Sequence, residues 1–513
     1  NLPVKTGAPK RRMRVEFEGR IVREFEIELA DQMSGQSPDF WVFLDVTAWR
    51  NQRLTVVVDR LPENSLALER LALEDELRTT QPLYREPLRP QFHFSSRRGW
   101  NNDPNGLVFA DGEWHLFYQH NPYGWNWGNM HWGHAVSRDL VRWQELPIAL
   151  YPRQFGDWAF SGSAVVDAHN TSGWGTPEAP PLVLAYTSTG RGECMAYSRD
   201  RGRTWQEYEG NPVVRHTGRD PRLLWHAPTK SWVMAVYTEQ GSAKQIAFHV
   251  SPDLQHWQET SRIDGFYECP DLYPLPLDGN LDRQLWILTA ADSNYLVGTF
   301  DGRKFIPTGE RQRGNYGNCF YAAQTFSQAP GDRRVIIGWL QAPSPGMPFN
   351  QCFSVPCELT LRTSDAGPRL AWTPVPELTQ LRSGPARTVS GTARPGQPLE
   401  TGEIGEWLDI ECTLQPGMAR QITLEVRGVR LTYDVAAAQL RGLDRTAPVP
   451  LVGGAVTLRV LADRTTVELF ADRGFVYLPL AVIPAAEQRG VRVLAEGDAA
   501  SVQLQVHPLR SAW

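Results

Sequence analysis

The feature that most constrains the fold is a short pattern that recurs four times in the chain. In each copy a strand-like run leads through a polar turn to an aromatic residue, and these aromatics are Trp143, Trp205, Trp257 and Phe305. They lie 62, 52 and 48 residues apart. A strand, a turn and a packed aromatic at such a period are typical of the blades of a β-propeller. The repeat therefore predicts a radial array of small antiparallel sheets.

Apolar hairpin candidates lie between these copies, at residues 107–119, 163–188, 222–239, 272–290 and 322–340. Five hairpins and the outer-strand copies together predict five four-stranded blades, with the first strand of each blade along the axis. At 513 residues the chain is too long for one domain. We predict an all-β chain with four parts: a small β-rich N-terminal module (1–88), a five-bladed β-propeller (89–382), a linker (383–398) and a C-terminal β-sandwich (399–513).

The two ends of the chain also show β patterns. Apolar and acidic residues alternate from Glu24 to Leu29, which is the period of a half-buried strand. We expect two more strands at 40–46 and 54–58, whereas 65–77 is compatible with a helix or an extended connector. The linker is predicted from its Pro- and Gly-rich composition. Short β runs at 407–414, 421–426, 456–461 and 465–470 predict the sandwich.

Composition and charge exclude several classes of function. The net charge of −5 provides no attraction for nucleic acid or anionic membranes, and there is no run of 18 apolar residues to span a bilayer. The six cysteines are scattered without a Cys-x-x-Cys pair, so we predict neither a zinc site nor a dense disulfide framework. We therefore expect no nucleic-acid partner, no membrane insertion, no metal and no cofactor. Nineteen tryptophans are a large excess, and tryptophan stacks well on the apolar face of sugar rings.

Acidic turns precede three of the predicted hairpins. Asp103 lies in the turn from Trp100 to Gly106, Asp220 precedes the third hairpin, and Glu268 precedes the fourth. Because the first strands of propeller blades line one axis, residues that enter them from the same side surround a single funnel. Clustered carboxylates without a metal motif indicate cleavage of a glycosidic bond.

Such a reaction needs one ionised and one protonated carboxyl. Glu268 is flanked by Tyr267 and other apolar residues, so we expect it to have the raised pKa and to act as general acid. Asp103 is then the nucleophile. Asp220 is expected to bind sugar hydroxyls and to be held in place by Arg219.

Further stretches stand in a specific order along the predicted propeller: His93-Phe94, Trp100 to Gly106, Gln119 to Pro122, Trp127 to Ala135, Phe160 to Ser163, Arg219 to Pro221, Glu268-Cys269, Phe320 to Phe326 and Gly338-Trp339. Together they resemble the signatures of glycoside hydrolase family 32, the β-fructosidases, which include invertases, inulinases and levanases. The stretch from Asp463 to Phe470 resembles the β-sandwich of the same family.

The resemblance implies a five-bladed catalytic propeller and a retaining mechanism through a fructosyl-enzyme on Asp103. It also implies that Glu268 is the acid/base and Asp220 the transition-state stabiliser, without a metal. The subsite for the terminal fructose would be lined by Asn102, Gln119, Trp127, Phe160, Ser161, Arg219 and Trp339. The chain departs from the family pattern at Gly218, where a bulky residue is usual, and at Cys357, where an arginine is usual.

We therefore expect an exo-acting hydrolase that releases fructose from levan- or inulin-type fructans, with sucrose as a possible lesser substrate. The N-terminal module favours fructan over sucrose, because it resembles a module of bacterial fructan-degrading members. The alternatives are an invertase, a fructosyltransferase, an inverting propeller glycosidase that acts on pentose polymers, or a non-catalytic fructan-binding protein. The sequence begins at Asn1 without an apolar leader, and we expect that one was removed from a secreted, periplasmic or cell-surface protein of a bacterium. Linkage preference and oligomeric state stay open.

Overall fold

The structure is a computed structural model that describes residues 1–31, 37–79 and 81–513. Nearly all of the regular secondary structure of the described residues is β-strand. Its helical elements are short 3₁₀ turns at Thr47–Trp49, Ala227–Thr229, Pro330–Asp332, Pro376–Leu381 and Asp472–Gly474. Among the described residues, no helix is long and apolar enough to cross a membrane.

The N-terminal strands are β1 (Leu2–Val4), β2 (Arg11–Phe17), β3 (Arg20–Ile27), β4 (Phe40–Val42) and β5 (Leu54–Val58). β1 pairs with β4, and a second sheet has the order β3-β2-β5. The predicted alternation is confirmed, since Phe25 and Ile27 are buried while the glutamates between them are not. The strand expected at 40–46 ends at Val42, and 65–77 is a connector made of turns and extended chain.

The central part of the chain contains the next 22 strands. They are β6 (Gly99–Ala110), β7 (Glu113–Asn121), β8 (His131–Ser137), β9 (Gln144–Leu150), β10 (Ala159–Val166), β11 (Leu182–Ser188), β12 (Gly192–Ser198), β13 (Gln206–Glu207), β14 (Gly218–His226), β15 (Ser231–Gln240), β16 (Ala243–Ser251), β17 (Gln258–Asp264), β18 (Asp271–Leu277), β19 (Asn280–Thr289), β20 (Tyr295–Phe300), β21 (Phe305–Pro307), β22 (Phe320–Thr325), β23 (Val335–Leu340), β24 (Phe349–Asn350), β25 (Cys352–Phe353), β26 (Cys357–Ser364) and β27 (Gly367–Pro374).

These strands form antiparallel sheets in the order expected for a propeller. β6 to β9 form one sheet that β24 joins in parallel, β10 to β13 form the second, and β14 to β17 form the third. A nine-stranded sheet contains β18 to β23 and β25 to β27. The sheets are separated by apolar layers.

Polar side chains tie the innermost strands to one another along the axis. Gln324 on β22 accepts a hydrogen bond from the amide of Leu107 on β6 (3.3 Å) and donates one to the carbonyl of Gly162 on β10 (2.9 Å). Arg222 on β14 forms a buried ion pair with Asp271 on β18 (2.9 Å). The strands β6, β10, β14, β18 and β22 therefore converge. The expected turns before the first and third hairpins are wrong in one respect, because Asp103 lies inside β6 and Asp220 inside β14, whereas Glu268 does precede β18.

The C-terminal strands are β28 (Arg387–Ala393), β29 (Leu399–Glu403), β30 (Leu408–Gln415), β31 (Gln421–Val426), β32 (Val429–Asp434), β33 (Gln439–Gly442), β34 (Arg445–Pro448), β35 (Val456–Ala462), β36 (Thr466–Ala471), β37 (Val476–Ala481), β38 (Gly490–Glu496) and β39 (Ala500–Pro508). They form two six-stranded sheets, β28-β39-β30-β35-β36-β37 and β29-β38-β31-β32-β33-β34, with an apolar core between them. The propeller and β-sandwich are thus both present.

The prediction that residues 383–398 are a linker is wrong. They contain β28, which pairs along its whole length with the last strand, β39. Ala393 is buried in the sandwich core, and Val389 packs against it. β28 is an edge strand, and edge strands tolerate the proline and glycine around them that suggested a linker.

A buried histidine joins the propeller to the sandwich. Nδ1 of His93 lies 2.8 Å from an oxygen of Asp463, and Nε2 lies 2.6 Å from an oxygen of Glu468. The hydroxyl of Tyr477 donates a hydrogen bond to the second oxygen of Glu468. Burial alone would lower the pKa of His93, but these two carboxylates raise it to about 9. His93 is therefore a buried cation between two buried anions.

Candidate active site

The regular strand pairing is interrupted where the innermost strands enter the funnel. In β6 the pairing skips Asn102 and Asp103, in β10 it skips Ser161, and in β14 it skips Asp220 and Pro221. β22 has the same interruption at 322–323. A bulge of this kind bends the strand and redirects its side chains. Four of the predicted site residues, Asn102, Asp103, Ser161 and Asp220, thus stand where the regular pairing is interrupted.

The backbone is strained at two of the three acids. Asp220 has φ of 68°, and Glu268 and Cys269 have φ of 41° and 44°. These left-handed conformations are uncommon for residues other than glycine and cost energy. The rest of the fold stabilises them, and they direct both carboxylates toward the axis.

Asp103 accepts hydrogen bonds on both carboxylate oxygens. Nδ2 of Asn102 donates to one oxygen (3.0 Å), and Oγ of Ser161 donates to the other (2.6 Å). Burial raises the pKa of Asp103, while these two hydrogen bonds oppose the rise. The two donors fix the orientation of the carboxylate and favour its ionised form.

Asp220 is 5% exposed and is held by backbone groups. The amide of Cys269 donates to one of its carboxylate oxygens (3.0 Å), and the amide of Asp220 itself donates to Oγ1 of Thr187 (2.9 Å). Burial and the nearby charge of Asp103 raise the pKa of Asp220 to about 8. Near neutral pH, Asp220 therefore retains a proton.

Glu268 is held by an arginine and a tyrosine. Arg219 donates to one carboxylate oxygen through Nε (3.1 Å) and Nη2 (2.5 Å), and the hydroxyl of Tyr321 donates to the other (2.6 Å). Arg219 was expected to hold Asp220, and its Nε does form an ion pair with that carboxylate at 3.7 Å, but its hydrogen bonds go to Glu268 and to the hydroxyl of Tyr267 (3.0 Å). The reason is that the left-handed turn at 268–269 brings Glu268 to the guanidinium.

A thiol lies between two of the acids. Sγ of Cys269 is 3.6 Å from an oxygen of Asp103 and 3.5 Å from an oxygen of Asp220, so these oxygens are at most about 7 Å apart. The sequence reasoning missed the contacts of Cys269 and Tyr321. Both residues belong to stretches that the sequence already placed at the entrances of predicted blades, Glu268-Cys269 and Phe320 to Phe326, and this position could have indicated that they lie near the acids.

The structure places the other predicted subsite residues around this cluster. Trp339 is half-buried and packs edge-on against the ring of Tyr321, with centroids 6.3 Å apart. Trp127 is 45% exposed and packs edge-on against Phe160, at 6.3 Å. Gln119 is buried, and its side-chain amide donates to the carbonyl of Ala159 (3.0 Å). Asn102, Ser161 and Arg219 contact the acids directly.

Three carboxylates, an arginine and exposed aromatic rings lie together at one end of the propeller axis. These are the groups that a glycosidase needs. The carboxylates supply a nucleophile or base and an acid, and the aromatic rings supply faces for sugars. This is the class of protein that the fold and the site define.

Comparison with known proteins gives the family. Residues 93–374 match the family described as "Glycosyl hydrolases family 32 N-terminal domain", and residues 377–508 match "Glycosyl hydrolases family 32 C terminal". The chain belongs to glycosyl hydrolase family 32. It is a β-fructosidase, which confirms the expectation from the sequence.

Relatives match over most of the chain. A levanase of Bacillus subtilis is 37% identical over 489 residues, which cover 84% of this chain and 72% of the levanase. An extracellular exo-inulinase of Aspergillus ficuum is 31% identical over 521 residues, covering 84% of this chain and 96% of the inulinase. The crystal structure of an exo-inulinase from Aspergillus awamori superposes with a TM-score of 0.77 at 28% identity, covering 84% of this chain and all of that one.

Proposed function

We propose that the protein is a retaining, exo-acting β-fructosidase that releases fructose from levan- or inulin-type fructans and hydrolyses sucrose as a lesser substrate. The observation that carries the proposal is the different bonding of two acids in one cluster. Asp103 has both oxygens fixed by small neutral donors, whereas Glu268 is held by Arg219 and Tyr321. The first arrangement suits a nucleophile. Glu268 takes the acid/base role that the resemblance to family 32 implies for its position, and Arg219 and Tyr321 hold its carboxyl group in place.

The first step forms a covalent intermediate. An oxygen of Asp103 attacks the anomeric carbon of the terminal fructosyl unit as the bond from that carbon to the glycosidic oxygen breaks. Glu268 gives its proton to the departing oxygen, so the leaving group is a neutral alcohol. The products are a fructosyl ester on Asp103 and ionised Glu268.

The second step releases fructose. Glu268, now a carboxylate, takes a proton from a water molecule as the water oxygen attacks the anomeric carbon. The ester bond to Asp103 breaks, and both acids return to their starting states. Two inversions at the anomeric carbon give net retention.

Asp220 stabilises the transition state without acting in either bond exchange. Because its pKa is raised to about 8, it carries a proton near neutral pH and donates a hydrogen bond to a sugar hydroxyl. A neutral Asp220 also avoids a second full negative charge beside Asp103 while the latter attacks. Its contacts with the amide and thiol of Cys269 keep it in place.

Support for polymer substrates and exo action comes from the relatives. The levanase and the exo-inulinase match this chain across both the propeller and the sandwich. Trp339 and Tyr321 on one side, and Phe160 on the other, suit a pocket for a terminal sugar unit. We infer that one fructose is removed at a time.

Substitution of the two acids tests the mechanism. Asp103→Asn and Glu268→Gln are each expected to lower kcat by several orders of magnitude while the thermal unfolding profile is retained. Glu178→Gln, on an exposed loop, is the matched control. Near-wild-type turnover in either active-site variant, with contaminating enzyme excluded, contradicts the roles assigned.

Early products test the substrate and the mode of action. Chromatography of short digests of inulin, levan and sucrose is expected to show fructose as the first product from the polymers. A ladder of oligomers means endo action instead, and transfer products at high sucrose mean a fructosyltransferase. NMR of the anomer first released distinguishes retention from inversion.

We also propose five blades and the domain limits 1–88, 89–382 and a sandwich from about 383. The nine-stranded sheet then comprises two blades, because β18 is joined to β26 through a single residue pair, Leu277 and Leu361. An experimental structure tests the blade count. Limited proteolysis tests the domain limits, with cleavage expected between the parts before any cleavage within them.

We propose that the protein is secreted, periplasmic or exposed at the surface of a bacterium. The support is that the related exo-inulinase is described as extracellular. Fractionation of producing cells, followed by assay of fructan hydrolysis in the medium, periplasm and cytoplasm, tests this. Activity confined to the cytoplasm contradicts it.

A further inference from the structure

The N-terminal module shares its core with a loop of the funnel. Residues 122–130 join β7 to β8 and carry Trp127 at the rim. From this loop, Tyr123 enters the apolar core of the module, where it is 1% exposed. Its ring stacks on Phe25 of β3 with centroids 3.7 Å apart. The loop and the module therefore form one packed unit.

Polar contacts fix the far end of the same loop. Asn129 makes two hydrogen bonds with the main chain of Glu26, accepting from its amide (2.9 Å) and donating to its carbonyl (2.7 Å). Nδ2 of Asn126 donates to a carboxylate oxygen of Glu28 (3.3 Å). The carboxylate of Glu28, one residue after the end of β3, thus faces the loop.

The module braces a second funnel loop, residues 151–158 between β9 and β10. The guanidinium of Arg23 lies 3.7 Å from the ring centre of Tyr151, and that of Arg12 lies 4.0 Å from the ring centre of Phe155. The loop ends at Trp158, which packs edge-on against Trp127 with centroids 5.1 Å apart. Both rim tryptophans therefore stand on loops that the module supports.

Two charged side chains of the module lie beside this rim. Nζ of Lys10 is 3.6 Å from a carboxylate oxygen of Glu26, and the two side chains are 50% and 39% exposed. Lys10 also approaches the residue after Trp127, since a Cβ added to Gly128 would lie 4.0 Å from its Nζ. An ammonium donates hydrogen bonds, a carboxylate accepts them, and an indole offers a flat apolar face. Sugar rings present hydroxyls and C–H faces that match these three groups.

We propose that Trp158, Lys10 and Glu26 extend the rim beyond Trp127, which lines the subsite for the terminal fructose, and bind the fructosyl units of a polymer beyond the bond being cleaved. The N-terminal module is then part of the substrate site and favours fructans over sucrose. The occupant is a neutral fructan of three or more units, because the two rings of sucrose fill only the positions on either side of the cleaved bond. This inference rests on the proposed function.

Steady-state kinetics with substrates of increasing length test the rim. kcat and KM are measured on sucrose, on a fructosyl trisaccharide and on inulin and levan, for the wild type and a Lys10→Met/Glu26→Gln double variant. We expect the ratio of KM on the longer substrates to KM on sucrose to rise about fivefold or more, because the ammonium donor is lost and the charged carboxylate acceptor is replaced by a weaker neutral amide. kcat on the longer substrates is expected to stay within about twofold, since the chemistry is unchanged.

The matched control is another ion pair of the same module. Lys5 and Asp39 are 2.6 Å apart, with side chains 34% and 37% exposed, and Lys5→Met/Asp39→Asn is expected to keep the wild-type KM ratio. Trp158→Leu, which removes an aromatic face, is expected to raise the ratio as the double variant does. An unchanged ratio in the double variant, or an equal rise in the control, overturns the inference. Wild-type protein inactive on every substrate overturns the proposed function instead.

Discussion

Replacing His93 with glutamine removes the positive partner of two carboxylates at the junction between the propeller and the sandwich. The side chains of His93, Asp463 and Glu468 are all fully buried. The two carboxylates raise the pKa of His93 from 6.5 to about 9 against the effect of burial. This difference corresponds to about 3 kcal/mol of folding free energy.

The sign of the pH dependence follows from the direction of the change. Because the folded-state pKa of His93 lies above its unfolded-state value, the stabilisation is fully present below about pH 6.5 and is lost as the pH rises through about 9. Glutamine leaves Asp463 and Glu468 without a cation, so we expect the variant to be less stable by roughly 3–5 kcal/mol at pH 6. For domains of this size the apparent Tm should fall by roughly 5–10 °C.

Differential scanning calorimetry at pH 6, 7.5 and 9.5 measures this effect. His256→Gln is the matched control, because His256 pairs with Asp253 at 2.7 Å but is 81% exposed, and it should leave Tm nearly unchanged. The gap in Tm between wild type and His93→Gln should narrow from pH 6 to pH 9.5. No gap at pH 6, or the same gap at all three pH values, refutes the reasoning that a protonated histidine joins the domains.

Three other variants test the site. Asp220→Asn should lower kcat but raise Tm, and the rise in Tm should be larger at pH 8.5 than at pH 4.5. The reason is that the folded-state pKa of Asp220 is about 8, so ionisation of this carboxyl destabilises the folded state at pH values above its ordinary pKa of 3.8. An equal change in Tm at both pH values contradicts this. Gly218→Ala should reduce activity and stability, since a Cβ there would lie 2.0 Å from a carbonyl oxygen of β15, whereas Gly309→Ala, with nothing within 4 Å, should be neutral in both assays. Tyr321→Phe should lower kcat/KM by about tenfold through loss of the 2.6 Å hydrogen bond to Glu268, and unchanged kinetics would exclude a role for that contact.

The arrangement of the three acids could be predicted because it depends on topology alone. Once the repeat indicates blades, residues at or just before the beginning of their first strands must meet at the axis. The sequence distance between Asp103 and Glu268 then does not matter. The inner strands could also be predicted, because the runs of apolar residues in the hairpins indicate directly which segments are buried.

Other features depend on local backbone geometry that no pattern reports. The left-handed turn at 268–269 decides that Arg219 bonds to Glu268 and that the thiol of Cys269 lies between two acids. β28 was missed because an edge strand needs little hydrophobic alternation. The shared core of the N-terminal module was missed because Tyr123, which completes it, belongs to a loop almost 100 residues after Phe25.

The interruptions of strand pairing in β6, β10, β14 and β22 have a consequence for how such a scaffold changes over time. The regular ladders hold the sheets around the axis, while Asn102, Asp103, Ser161 and Asp220 stand on the one or two residues that the ladders skip. Substitutions at those few positions alter the chemistry of the funnel without disturbing the hydrogen bonds that hold each blade together. A propeller of this kind can therefore acquire a new specificity in small steps, each of which leaves a folded protein on which selection acts.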